Sequence, residues 1–303
     1  MNTISLRQLR YFDALARCLH FGRAAELCAV TQPALSMQIQ DLEKEIGATL
    51  IERTRHGAKL TQAGEDVARR VAAILADLRD LTDCARHNGQ ILSGPLRLGV
   101  IPTIAPYVLP KLLPYLRSGH PALDLHLRES QTQTLLADLA AARIDAALLS
   151  LPVDHRDIET LELFDDAFVL AVPATKSLKA PATATPDLFE NERLLLLEEG
   201  HCLRDQALSF CGLKQADKIN TLGTTSLSTL AQMVAHGFGI TLLPRMSLEA
   251  EIRHGGIQIV DFEEPQPFRK IGLAWRRSSP RRPDFAALGN AVIHVMARAG
   301  GAA

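Results

Sequence analysis

No apolar run of about 18 residues, the length that a membrane-crossing helix needs, occurs anywhere in this chain of 303 residues, so membrane spans are excluded as a reading. No basic-then-apolar leader opens it either, and the cytoplasm is the expected compartment, with no membrane partner. Cysteine is scarce. Five residues in a compartment that keeps thiols reduced do not make a disulfide framework, so any disulfide would be regulatory. Charge of one sign is lacking too: the net charge of -1 points to no polyanionic partner by itself, although residues 1–60 hold eight Lys/Arg against six Asp/Glu. Proline is missing between residues 61 and 88, which allows one long helix there.

What remains is a globular balance, 47% hydrophobic and 22% charged, in a chain long enough for two or three folding units. The opening segment carries helix punctuation: Ser5 as cap, Gln8 three residues on, and Leu9, Phe12 and Ala16 at helical spacing predict a helix over about 6–19. A short helix in "FGRAAELCAV" follows. Thr31 is then placed to cap a third helix, Pro33 suits its first turn, and Leu35, Ile39, Leu42 and Ile46 form its apolar stripe. The opposite face holds Pro33, Met37, Gln40 and Lys44, flanked by Gln32, Ser36 and Asp41. Amide and hydroxyl side chains of this kind reach base edges in a major groove, while basic ones hold phosphates. "LIERTRHGAKLT" reads as two short strands around His56-Gly57, with Arg53, Arg55 and Lys59 set to touch the DNA backbone, which completes a winged helix-turn-helix. For any single residue on that face, a merely solvated helix surface is the alternative; the order of elements is what carries the reading.

From Thr61 a helix should run to about Asn88. Val67, Val71, Ile74, Leu78 and Leu81 alternate spacings of four and three, the seam of a two-helix coiled coil and so of a dimer; packing on the chain's own domain is the competing possibility. Beyond it, strands alternate with helices, which predicts a parallel sheet flanked by helices and, where "FDDAFVLAVP" and "FRKIGLAWR" cross, two lobes with a cleft. Thr103, Thr132 and Ser226 fall at strand-to-helix junctions, where ligands gather and where helix caps also stand.

Residues 198–211, "EEGHCLRDQALSFC", put two cysteines nine positions apart. His201 and Cys202 fall at or just before a helix start, where the helix dipole and cations such as Arg204 favour thiolate. If the segment is helical, nine steps rise ~13.5 Å and turn ~900°, putting the two thiols on opposite faces. A disulfide needs Cα atoms within about 7 Å, so joining Cys202 to Cys211 requires the helix to unwind and Leu208 and Phe210 to repack. Peroxide would then make a sulfenic acid at Cys202, which Cys211 would resolve. The residues alone are compatible with three further roles. Both could be ordinary buried thiols beneath a cleft that takes a small organic effector. His201, Cys202 and Cys211 could ligate a metal, although no fourth ligand stands at a familiar spacing, and a thiol-dependent enzyme is conceivable. Cys18, Cys28 and Cys84 look like packing thiols, and no metal or other cofactor is expected.

The segment "VTQPALSMQIQDLEKEIGATLIERTRHGAKLTQAG" resembles, almost position for position, the recognition segment of the LysR-type transcriptional regulators, within a pattern that spans residues 6–64 without a gap. "GHCLRDQALSFC" is similar to the sensor loop of the peroxide-responsive group of that family, the OxyR regulators, and the similarity covers nearly the whole chain. The resemblance implies an α/β chain with a winged helix-turn-helix over 1–60, a dimerising linker helix over 61–92 and a redox-sensing regulatory domain over 93–303. That domain would have two lobes like those of periplasmic binding proteins, lobe I about 93–165 and 268–303, lobe II about 166–267. It implies homodimers or homotetramers on double-stranded promoter DNA, RNA polymerase as a further partner, hydrogen peroxide as the signal, and a thiol reductant of glutaredoxin or thioredoxin type for resetting. By the same resemblance Cys202 is peroxidatic and Cys211 resolving, Thr103, Thr132, His201, Arg204 and Asp205 handle peroxide or activate the thiol, and Arg269 stands near the peroxidatic sulfur. One departure is that Thr221 and Gly223 stand where some relatives carry histidine and arginine.

Overall fold

Ser5 and Gln8 close a capping box, Gln8 N donating to Ser5 Oγ at 3.2 Å and Ser5 N to Gln8 Oε1 at 2.8 Å, and from it starts α1, Leu6–Cys18. The computed structural model describes residues 4–54, 57–86, 90–174, 183–184, 193–210, 219–221, 224–253 and 255–300, without the side chains of 82–86, 219–221 and 299–300. The chain divides into two units near residue 86.

In the first unit α2 (Phe21–Leu27) and α3 (Gln32–Ile46) follow α1, and Leu35, Ile39 and Leu42 of α3 are buried with Phe12, Leu15 and Ala24. Thr31 occupies the N-cap position of α3, but its side chain makes no capping bond, a correction to the expected role; Pro33 in the first turn, which needs no N–H there, starts the helix instead. The Glu43 carboxylate accepts from Leu50 N and Ile51 N at 2.7 and 3.0 Å and so ties the end of α3 to β1 (Ile51–Thr54), which pairs antiparallel with β2 (Gly57–Leu60). α4 (Gln62–Arg86) is capped by Thr61, whose hydroxyl accepts from Gly64 N at 2.9 Å. A Cβ on Gly64 would lie 2.1 Å from Leu50 O, so only glycine lets α4 start this close to β1.

The expected dimer seam on α4 divides. Val71 is buried and Val67 partly buried in the core of the first unit together with Leu75, whereas Ile74 and Leu81 are 47% and 67% exposed. Spacings of four and three fit packing on the chain's own α1 as well as they fit a partner helix, and Val67 and Val71 serve the former use.

The second unit begins with β3 (Gly94–Val100), α5 (Ala105–Gly119), β4 (Leu123–Glu129), α6 (Thr132–Ala140) and β5 (Ala146–Leu151). β3 pairs parallel with both β4 and β5, as alternating strands and helices require. β6 (Ile158–Pro173) is the long element: up to Ala167 it pairs with β11 (Phe268–Arg276), and from Phe168 onward with β9 (Thr241–Pro244) and β10 (Ile257–Val260). β11 inserts antiparallel between β5 and β6, so the sheet is mixed rather than all parallel; a strand returning from a second lobe has to run against the first. β7 (Leu194–Leu196), α7 (Cys202–Phe210), β8 (Ile219–Thr221), α8 (Leu227–Ala235) and the short α9 (Leu248–Glu251) complete the second lobe, and α10 (Arg282–Gly300) returns to the first.

Two cores result. One gathers Leu98, Leu135, Leu148, Ile271 and Phe285; the other gathers Val169, Leu195, Leu203, Leu230 and Leu243. Tyr107 of α5 reaches into the second, where its hydroxyl donates to Glu251 Oε1 at 2.7 Å. No described helix is long and apolar enough to cross a membrane.

Candidate redox site and candidate DNA interface

A positive φ of 92° at Gly200, a conformation that other residues rarely adopt, turns the chain after β7 against the Gln131 side chain just before α6. The turn delivers His201 and then Cys202, the first residue of α7. Leu203 and Ala207 anchor α7 in the second core, and Phe210 meets Phe262 edge to face, with ring centroids 4.9 Å apart. The Cys202 side chain packs instead against the first core, so the thiol sits where the lobes meet.

Groups from other segments stand beside it or brace those that do. Arg269 of β11 is fully buried; its Nε donates to Asp166 Oδ2 at 2.9 Å, Nη1 to Thr103 Oγ1 at 2.9 Å and Nη2 to Thr103 O at 3.0 Å. Asp166 Oδ1 accepts from Met246 N at 3.0 Å. The buried Thr132 hydroxyl at the start of α6 has no other hydrogen-bond partner among the described residues, and it favours the ionised form of the Cys202 thiol. Gln206, one turn along α7, donates to Ser150 Oγ at 2.8 Å.

The expected activation of Cys202 by Arg204 is corrected. Burial pushes the thiol above the ordinary cysteine range; the Arg269 charge, the Thr132 hydroxyl and the Leu203 N–H pull it back, and Asp205 pushes it up again. Burial outweighs the pull of the helix start. Arg204 turns away to Leu197 O at 3.4 Å and Glu199 at 3.8 Å, and Asp205 is exposed, its charge opposing thiolate. His201 is buried, which holds its imidazole below the usual histidine range against the weaker pull of Glu198, and its Nε2 has no partner among the described residues. Arg269 and Thr132 thus act on the Cys202 thiol, Thr103 holds Arg269, and His201 precedes Cys202 with its ring buried, while Ser226 serves as the cap of α8. Asp166, Gln206 and Ser150 were not foreseen; Ser150 is a polar residue in an otherwise apolar strand, a signal that could have found it, whereas Asp166 follows Asp165 and Gln206 follows Arg204 and Asp205, so neither stands out. Cys211, Gly223 and the side chains of Thr221 and Cys84 lie outside the described residues, and among the described ones no group of three or more His, Cys, Asp or Glu is placed to hold a metal ion.

On α3 the side chains of Gln32, Pro33, Met37, Gln40 and Lys44 are exposed on one face. Arg53 of β1 donates to Ser36 Oγ and stacks over the Phe21 ring, its Cζ 4.6 Å from the centroid. Arg55 lies outside the described residues.

Two family models match this chain: the bacterial regulatory helix-turn-helix of the lysR family over residues 6–65, and the LysR substrate binding domain over 89–297. The chain belongs to the LysR family. This LysR-family chain is 41% identical over 296 residues to a probable hydrogen peroxide-inducible genes activator of Streptomyces viridosporus, covering 96% of this chain and 94% of the relative. It is 39% identical to the DNA-binding transcriptional dual regulator OxyR of Escherichia coli K12, covering 95% of each. Among solved structures it is similar to a cysteine-to-aspartate variant of full-length OxyR from Pseudomonas aeruginosa, at 35% identity and a TM-score of 0.76, covering 95% of this chain and 97% of that one.

Proposed function

We propose that this LysR-family chain is a DNA-binding transcription regulator that senses hydrogen peroxide through a reversible Cys202–Cys211 disulfide. The observation that carries the reading is the surroundings of Cys202: a thiol at the meeting of two lobes, next to the buried Arg269 charge and the otherwise unpartnered hydroxyl of Thr132, in a chain similar along its whole length to relatives named for peroxide-inducible genes.

The chemistry balances with peroxide as the oxidant. The Cys202 thiolate attacks one peroxide oxygen, the O–O bond breaks, the departing hydroxide takes up a proton and leaves as water, and the sulfur becomes a sulfenic acid. The Cys211 thiolate attacks that sulfur and a second water leaves. With α7 helical from Cys202 to Phe210, the Cα atoms of its ends are ~12 Å apart at 1.5 Å per residue. A residue bonded to Phe210, one Cα step of ~3.8 Å further on, stays at least ~8 Å from Cys202. That exceeds the ~7 Å a disulfide spans, so the cross-link requires α7 to unwind and Leu208 and Phe210 to leave the second core. A reductant of glutaredoxin or thioredoxin type resets the pair by exchange. Paired heads on two-fold promoter DNA, in a dimer or tetramer that engages RNA polymerase in the cytoplasm, transmit the change, and turnover is not its task.

One equivalent of peroxide followed by peptide mass spectrometry tests the reading: a rapid Cys202–Cys211 link, together with a promoter footprint that changes with peroxide and stops changing in Cys202→Ser, is the expected result. Thiols left unmodified would overturn it in favour of a cleft that responds to a small organic effector.

A further inference from the structure

The Arg269 guanidinium is fixed from two sides, and one side has no contact with the sulfur. Asp166 lies on β6 where that strand passes from one lobe to the other, is 4% exposed, and is itself held by both oxygens, one on Arg269 Nε and one on Met246 N. Three of the five N–H groups of the guanidinium are occupied by Asp166 and Thr103. We infer that Asp166 is a positioning residue for the peroxide reaction, clamping the Arg269 guanidinium so that its charge is held beside Cys202.

The inference rests on the proposed role of Cys202 only for the word peroxide; the clamp itself is a property of the reduced protein. An arginine side chain has four rotatable bonds and, without a partner, would turn its charge toward water. The Asp166 carboxylate forbids this because it cannot turn without abandoning Met246 N, in the middle of the turn of residues 245–247 that leads into α9. The charged and titratable groups around the thiol are few. Arg269 faces it from β11, the Thr132 hydroxyl from α6, Asp205 from α7 itself, and the neutral His201 precedes it, while Asp166 on β6 and Thr103 face the guanidinium. Arg269 is thus the one cation acting on the sulfur among the described residues, and its charge is the strongest pull toward thiolate against the larger opposing effect of burial.

Asp166→Asn offers one acceptor where two donors, Arg269 Nε and Met246 N, now have one each, so it releases half of the clamp. In the full chain, the pH midpoint for alkylation of Cys202 by iodoacetamide, read by peptide mass spectrometry, is expected to rise by about one unit, because a charge some ångströms from a thiol moves its ionisation by roughly one to three units. The second-order rate with peroxide at pH 7 falls about tenfold in step. Asp166→Glu keeps the buried ion pair, and so the fold, but displaces the guanidinium by a methylene, and moves the midpoint the same way by less. On an Arg269→Met background neither substitution adds a further shift, which a merely structural role for Asp166 does not explain. An unchanged midpoint in the folded variants, a fall, or a shift that persists without Arg269 overturns the inference. Alkylation needs no peroxide: a clamp that behaves as described in a chain whose Cys202 ignores peroxide would refute the sensor and leave the clamp standing.

Discussion

Gln206 donates its side-chain amide to Ser150 Oγ across 2.8 Å, a bond between α7, rooted in the second core by Leu203 and Ala207, and β5, buried in the first. It is a direct polar tie between the helix that the proposed disulfide would unwind and the first lobe. Gln206→Ala and Ser150→Ala should each lower stability by about 1 kcal/mol, the usual net worth of one such bond, and the double variant should lose no more than the larger single loss. Trp275, the chain's one tryptophan, lies buried in β11 and reports this unit during urea unfolding. Losses that simply add would show that the two side chains act separately.

A buried imidazole predicts the direction of the acid response. Burial holds His201 below the ordinary value of 6.5, so the unfolded chain takes up the proton first as pH falls. The contribution to stability is complete above pH 6.5 and is lost as pH falls through the lowered folded value. Urea midpoints measured from pH 7.5 down to about pH 5 should decline in the parent and decline less in His201→Gln. Parallel curves would mean that other groups carry the acid response.

Much of this arrangement was legible in the residue order, and the reasons for what was not are physical. Helical spacing and caps act within a few residues, so the Ser5–Gln8 box, the α3 stripe and the start of α7 at Cys202 could be read directly. The bond from Arg269 to Thr103 spans 166 positions, and no local pattern specifies it: strand-to-helix junctions mark Thr103 and Thr132 one by one, and only the resemblance sets Arg269 beside them. Arg204 stands two positions from Cys202, but proximity in sequence is not proximity of charge: its guanidinium turns back along the chain to Leu197 O. Asp166 is hidden for the opposite reason: a carboxylate in a strand signals a buried partner, but the partner lies 103 positions away.

Arg53 already has a partner in the free protein, the Ser36 hydroxyl on α3, so the phosphate contact expected of it on DNA would replace that bond. Arg53→Ala should weaken binding about equally on specific and unrelated sequences and reduce the salt slope by about one. Gln40→Ala, on the exposed face of α3, should instead cost about 1–3 kcal/mol on the preferred site alone and leave the slope unchanged. Titration of a promoter fragment and a scrambled duplex at three salt concentrations separates the two; a changed slope in Gln40→Ala would assign that residue to the backbone.

The divided seam of α4 makes the final prediction. Leu81 and Ile74 are large apolar side chains left 67% and 47% exposed, whereas Val71 is 2% exposed within the core of the first unit. A charge at Leu81 meets only water in a single chain and an apolar surface in a paired one, so Leu81→Asp should weaken self-association by more than tenfold with the helical signal intact. Val71→Ala opens a cavity in the chain's own core and should cost about 2 kcal/mol of stability while leaving the association constant nearly unchanged. Sedimentation equilibrium beside thermal melting reads both effects at once. Were Val71→Ala to dissociate the protein and Leu81→Asp to leave it paired, the partner would have to sit on the face of α4 that now packs against α1, and the first unit would have to open before it could dimerise.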